Sequence, residues 1–343
     1  MNQFIQNLYL PKTIALLELT GGYFANDITV KNTLEYYWRF YRDEFKSFPI
    51  IDTGGSIPKT LELLDKYYAK GYRYFYGFSR STIVNASLNW FNMHPDAIGI
   101  SSTSTAPNLS IPKKIFRMTP TDDYILDSIL PQVYSSPTVY YIYTEGEVAM
   151  LNVLAILQAD PLITNLKTYA VNSSNLTVAN ISTFLSGSTS QDSIILYLLD
   201  REPYIDLYNQ GLTFAGNQYD ITGIVPPKIV GSGAISQLTN KYLIISYKGI
   251  QTSILWRRGY DTLGVDNYSI VTLNAINLLN SLVYKKSVTD INSHFGILQF
   301  DPVSSDIIYP CFLVEIFNGT IFASSYLLVN DPILGSYQAN LIS

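Results

Sequence analysis

Between Tyr72 and Asp123 the chain reads as strand, turn, helix, strand, and few architectures accept that order. The run Tyr72 to Tyr76 has the character of a buried strand and ends in a small polar cluster, Gly77 to Thr82. A helix-like segment follows to about Met93. A second strand, Ala97 to Ile100, then ends in another cluster of small hydroxyl residues, Ser101 to Thr105. In an open α/β sheet, ligands sit beyond the carboxyl ends of strands. The stretch therefore predicts a small-molecule site built from Ser79, Arg80, Ser81, Thr103, Ser104 and Thr105. Arg80, a cation among small hydroxyls, suggests an anionic ligand group; a surface arginine turned away is the alternative.

The remaining chain repeats the alternation of strand and helix. Lys12 to Leu19 (KTIALLEL) is a continuous apolar run, the sign of a buried parallel strand, and Thr20 to Gly22 is its turn. A helix is expected over Asp27 to Phe45, a strand over Phe48 to Ile51, and a helix over Lys59 to Lys70 with Gly71 as its stop. Tyr124 to Tyr134 reads as a helix, Thr138 to Tyr143 as a strand and Val148 to Gln158 as a helix. Further strands are expected at Leu166 to Val171, Ser193 to Leu199, Leu212 to Gly216 and Lys241 to Ser246, with helices at Val178 to Leu185, Glu202 to Gln210 and Asn267 to Val283. Asn318-Gly319 is a strong hairpin turn after the apolar run Ile307 to Phe317.

Composition removes several function classes. A chain of 343 residues fits two domains, and 47% apolar content excludes a disordered chain. A net charge of −5, with basic residues clustered only in pairs, argues against nucleic acid as a partner. Two histidines and one cysteine leave no convincing transition-metal ligand set, and no cofactor is implied. Cys311 stands alone, so an intramolecular disulfide is excluded, and it reads as buried and inert. Met1 to Pro11 lacks the features of an export signal.

The run Ile100 to Ser110 (ISSTSTAPNLS), followed by Phe116 to Asp122 (FRMTPTD), resembles the type I periplasmic binding proteins. That family carries "I-S-P-x-A-T-x-P-x-L-S" and then "F-R-x-x-P-S-D". Its branched-chain amino-acid receptors are the nearest subgroup. Asp52 to Pro58 and Phe295 to Asp301 also resemble family segments.

The resemblance implies an α/β fold of two Rossmann-like lobes with parallel-sheet cores, joined by three crossings, with a ligand cleft between them. The lobes would be 1–134 plus 249–308, and 135–248 plus 309–343. It implies non-catalytic binding of an amino acid, amide or carboxylate by hinge closure. Tyr23, after the Thr20 to Gly22 turn, would cover the ligand. Glu145 and Gln218 would face it from the second lobe, although the family's Tyr-Gly pair near Glu145 is absent and Gln218 stands where an acid is usual. A membrane transporter or receptor is the partner implied, and a homodimer through the first lobe is allowed. Location would be periplasmic or extracellular if a signal was removed, and is otherwise unknown, with viral and intracellular both open. Two alternatives stand beside this reading. One is a structural or surface protein that keeps the fold without a ligand. The other is a serine hydrolase, because Gly77 to Ser81 (GFSRS) nearly matches a nucleophile elbow and His294 is the only candidate base.

Overall fold

The computed structural model describes residues 12–22, 24–40, 47–119, 121–198, 215–220, 242–247, 267–283, 291–293, 296–298, 300–307, 311–317, 320–322, 325–331 and 336–342. They divide into two compact units, 1–120 with 249–309, and 121–248 with 310–343.

The first unit is built on five parallel strands, β1 (Lys12–Leu17), β2 (Ile50–Asp52), β3 (Tyr72–Gly77), β4 (Ile98–Ser101) and β5 (Ile115–Arg117), in the spatial order β2-β1-β3-β4-β5. Helices α1 (Phe24–Phe40), α2 (Ile57–Ala69), α3 (Ser81–Met93) and α7 (Asn267–Val283) cover it. Side chains alternate between the two covered faces of β3, which explains why the strand is apolar from Tyr74 onward. The Tyr74 and Tyr76 hydroxyls donate to the Leu282 carbonyl and to Thr272 Oγ1 of α7, at 3.3 and 3.2 Å. Phe75 points the other way, its ring 5.4 Å from Trp90 and 6.2 Å from Phe91 of α3. Helix α2 begins at Ser56, whose side chain accepts the Lys59 N–H, with Pro58 in its first turn; Gly71 beyond its end takes a φ of +84°.

The second unit carries a seven-stranded sheet. Its strands are β6 (Val139–Thr144), β7 (Leu166–Val171), β8 (Ser193–Tyr197), β9 (Asn217–Asp220), β10 (Tyr242–Tyr247), β13 (Cys311–Phe317) and β14 (Thr320–Phe322), in the order β14-β13-β10-β9-β8-β6-β7. The run from β10 to β7 is parallel, and β13 and β14 are antiparallel additions. Phe317 pairs with Thr320, so β13 and β14 run antiparallel side by side; Asn318-Gly319, the expected turn, lies outside the described residues. Two further hairpins pair β11 (Ile291–Ser293) with β12 (Gly296–Leu298), in the first unit, and β15 (Ser325–Asp331) with β16 (Ser336–Ile342) in the second. Along β6 the alternation recurs. Tyr140 and Ile142 join Ile181 and Leu185 at helix α6 (Val178–Phe184), and the Tyr141 hydroxyl donates to the Met150 carbonyl of α5 (Val148–Ala159) at 2.8 Å.

One expectation shifts. Helix α4 (Asp122–Val133) falls in the second unit, so that unit starts near 121 and not at 135. The reason is local, since α4 packs on α5 and Asp122 accepts the Tyr197 hydroxyl at 2.7 Å. The strand expected over Leu212 to Gly216 lies mostly outside the described residues; β9 begins at Asn217. The helix expected at Glu202 to Gln210 lies outside the described residues, as does the surrounding of Cys311.

Arg117 closes the first unit. It is fully buried at the end of β5, and its guanidinium forks onto Asp306, with Nε–Oδ1 at 2.6 Å and Nη2–Oδ2 at 2.8 Å. It also donates to Ser110 Oγ and to the Ala106 carbonyl. One side chain thus ties the 106–110 loop to the 301–307 segment, which pairs alongside β5. Removing one partner of such a pair strands the other charge in a low-dielectric site, at a cost of about 3–5 kcal/mol. Arg117→Met should therefore lower the urea midpoint sharply, while Arg117→Lys, which keeps charge without the planar fork, recovers only part of the loss.

Candidate functional site

The carboxyl ends of four strands lie in register at one edge of the first unit. Leu17 pairs with Asp52, Leu16 with Gly77, and Gly77 with Ser101. The segments that leave this edge bring the candidate residues together.

At Gly77 the chain passes so close to β1 that a Cβ would stand 2.0 Å from the Leu16 carbonyl oxygen, and φ is +130°. Only glycine fits there. Phe78 follows with φ +55°, buried and left-handed, and turns the chain into α3. Strain of this kind in a non-glycine residue concentrates at functional sites. The Ser101 hydroxyl holds the turn by donating to the Phe78 carbonyl at 2.9 Å.

Most of the candidate hydroxyls lace two turns together. Thr103 Oγ1 donates to the Ser79 carbonyl at 2.8 Å. Ser81 Oγ accepts the backbone N–H groups of Thr105 and Ala106 and stands 3.1 Å from Ser104 Oγ. All four side chains are buried. Arg80 precedes α3 without making a side-chain cap bond, and its guanidinium faces Glu18, Nη1 to Oε2 at 3.7 Å. The cation suggested for a ligand anion thus already has a protein carboxylate beside it.

Glu18 and Asp27 are the residues that reading by strand and helix missed. Glu18 follows β1, 5% exposed, and the Thr53 to Gly55 turn wraps it so tightly that a Cβ on Gly55 would fall 2.5 Å from its carboxyl carbon. Asp27, on α1, is 1% exposed. Its Oδ2 accepts the Glu18 N–H at 2.6 Å, and its Oδ1 accepts the Ser79 hydroxyl. Ser79 Oγ is also 3.0 Å from Ser102 Oγ. Burial pushes the Asp27 carboxyl up to about 7, against the pull of the Ser79 and Glu18 hydrogen bonds. Asp52, across the edge, behaves oppositely. Burial would raise it, but bonds from the Thr20 hydroxyl and the Gly54, Leu19 and Thr20 N–H groups outweigh that and lower it. Sequence carried one signal for Glu18, an acid ending an apolar strand. It carried none for Asp27, which reads as an ordinary acid in a helix's first turn.

In the second unit, Glu145 is exposed in the turn after β6, where its carboxylate accepts the Asn172 amide at 2.8 Å. Gln218 lies inside β9, in register with Ile194 and Tyr242, and not beyond a strand end. Tyr23 lies outside the described residues. Strand ends here carry aromatic hydroxyls instead. Tyr197 reaches Asp122, and Tyr143 stacks on Tyr141 with ring centres 4.9 Å apart.

Among the described residues the nucleophile-elbow reading of Ser79 finds no imidazole beside it. Ser79 has a carboxylate partner where a nucleophile would need an imidazole. His94 sits at the far end of α3, stacked 4.0 Å from Trp90, and His294 lies outside the described residues. No cluster of three His, Cys, Asp or Glu side chains could hold a metal ion there. No described helix is long and apolar enough to cross a membrane.

No protein-family model matches the sequence, and no curated protein matches it. Solved structures do match in shape. A solute-binding protein of an ABC transporter from R. palustris, in complex with benzoate, aligns with TM-score 0.71 over 95% of this chain and 99% of that one, at 13% identity. A leucine-binding protein from Thermotoga maritima gives 0.68 over 91% and 97%, at 14% identity. The branched-chain amino-acid binding protein of Streptococcus pneumoniae, in complex with isoleucine, gives 0.68 over 92% and 98%, at 12% identity. The fold is that of the type I periplasmic binding proteins. In a type I binding-protein fold, the edge carrying Asp52, Gly77 and Ser101 is the carboxyl edge of the first parallel sheet, where ligands of open α/β sheets gather.

The pH response of stability follows from Asp27. Its carboxyl titrates near 3.8 when unfolded and near 7 when folded, so folding takes up a proton between those values. Its contribution is fully present below about pH 4, falls as pH rises to about 7, and is flat beyond. At 1.36 kcal/mol per pKa unit the whole difference is roughly 4 kcal/mol. Urea unfolding from pH 4.5 to 8 should show the wild type losing stability relative to Asp27→Asn across that window, and parallel curves would refute the assignment.

Proposed function

We propose that this protein is a non-catalytic receptor that captures a small polar molecule, an amino acid, amide or carboxylate, at the strand-end edge of its first unit. The single observation that carries the reading is the meeting of Ser79 and Ser102 before the start of α3, under a strained Phe78. A helix start without a side-chain cap offers N–H groups to a ligand oxygen, and the helix dipole favours an acceptor there. Proteins with the same fold are named for complexes with benzoate, 3,4-dihydroxybenzoic acid and isoleucine, which supports this ligand range. Hinge closure on the ligand, an ABC-type transporter as partner and a location outside the cytoplasmic membrane belong to the same proposal.

A second reading has its own support. Thr103, Ser81 and Ser104 use their hydroxyls within the protein and are at most 6% exposed. That suits a scaffold keeping the fold without a ligand.

Thermal melts with benzoate, 3,4-dihydroxybenzoate, leucine, isoleucine and small amides separate the two. A ligand at a hundredfold excess over its Kd stabilises by about 2.7 kcal/mol, which corresponds to a shift of about 4 °C for a chain of this length. Ser79→Ala should weaken such a ligand about tenfold, the value of one hydrogen bond. A flat screen of well-folded protein favours the scaffold.

A further inference from the structure

We infer that Asp27 is a specificity-determining residue that makes capture of a carboxylate at Ser79 dependent on uptake of a proton by the protein. The inference rests on the receptor reading above and deepens it. It follows from counting hydrogens in the chain Ser102, Ser79, Asp27. A serine hydroxyl has one hydrogen to give and two lone pairs. While Asp27 is ionised it is purely an acceptor, so Ser79 gives its hydrogen to Oδ1. Ser102, 3.0 Å away, must then be the donor to Ser79. Ser102 is fully buried and Ser79 is 6% exposed, so Ser79 is the member of the pair nearer to solvent and the one offered to a ligand. In this state Ser79 shows a ligand one lone pair and no hydrogen. It can accept from a hydroxyl, amide or ammonium, and it repels a carboxylate oxygen.

Protonating Asp27 reverses the chain. Oδ1 now donates to Ser79, whose second lone pair still accepts from Ser102, and the Ser79 hydrogen is freed for the ligand. The Glu18 N–H stays on Oδ2 in both states, so the carboxyl group need not move. The surrounding charges are Glu18 after β1, paired with Arg80, and Asp52 at the end of β2; Tyr76 of β3 is also nearby. On α1 itself Lys31 and Glu35 pair with each other, and α7, packed on α1, has no acid or base along its length. A proton moving on or off Asp27 near neutral pH is thus the charge change nearest this hydroxyl chain, and burial places that change in the working range.

Two measurements test this. In the ligand-free protein, the Asp27 carboxyl is titrated by carbon NMR in wild type and Ser79→Ala. If Ser79 donates to the ionised carboxylate, removing it raises the Asp27 midpoint by about one unit. A midpoint that falls or stays overturns the inference, whatever the ligand. Benzoate and isoleucine are then titrated calorimetrically at pH 6 and pH 8, where both keep their charge. Binding that needs protonated Asp27 weakens about tenfold over that range, as the competent fraction falls. Asp27→Asn, whose amide donates permanently to Ser79 while its carbonyl accepts from Glu18, should hold affinity constant within about twofold. Equal pH profiles in the two proteins overturn the inference. No binding of either probe at any pH overturns the receptor reading instead, and the carboxyl titration still decides the polarity of the chain.

Discussion

The close approach of β3 to β1 at Gly77 governs this edge of the molecule. With no room for a Cβ beside the Leu16 carbonyl, the strand ends by swinging through φ +130° and then +55° at Phe78. That double turn delivers Ser79 to Asp27 and starts α3 directly above the sheet. It also leaves backbone groups of Gly77, Phe78 and Ser79 pointing at the neighbouring loop, where Ser102, Ser101 and Thr103 satisfy them in turn. Two loops 23 or 24 residues apart are thereby one hydrogen-bonded body. Preorganisation of this kind fixes a binding surface before any ligand arrives.

The fold was legible because its signals are local. Strands buried on both faces must be apolar throughout, and β1, β3 and β8 were found on that ground within a residue or two. Helix α7 matched its expected span, with Leu273, Ala275, Ile276 and Leu279 buried as their spacing requires. Strand β9 went unread because a short strand with polar residues has little period, and it places Gln218 inside a strand and not beyond its end.

The candidate site was legible only in part. Sequence located both turns, since small hydroxyl residues after buried strands announce the sheet's carboxyl edge. It could not assign the hydroxyls their partners. Asp27 meets Ser79 across 52 residues and the Glu18 N–H across 9, and neither separation leaves a trace in periodicity. The Thr103, Ser81 and Ser104 hydroxyls bond within the loops, and the buried carboxylates beside them went unread. Burial of a charge is a property of tertiary packing, and no single position along α1 encodes it.

Arg117 and Asp306 stand 189 residues apart in the chain. Between them comes most of the second unit. A ribosome adding about 5–20 residues each second needs roughly ten to forty seconds to cover that distance. Through that interval the nascent first unit has its sheet up to β5 but lacks the acid for a guanidinium destined for its interior. During synthesis the arginine must stay hydrated, which keeps the 106–110 loop from closing and holds back the first unit's completion. The second unit, whose strands β6 to β9 are contiguous in the chain, has no such wait before its core begins to assemble. Both units therefore complete late, the first when Asp306 is made and the second when β13 and β14 follow it.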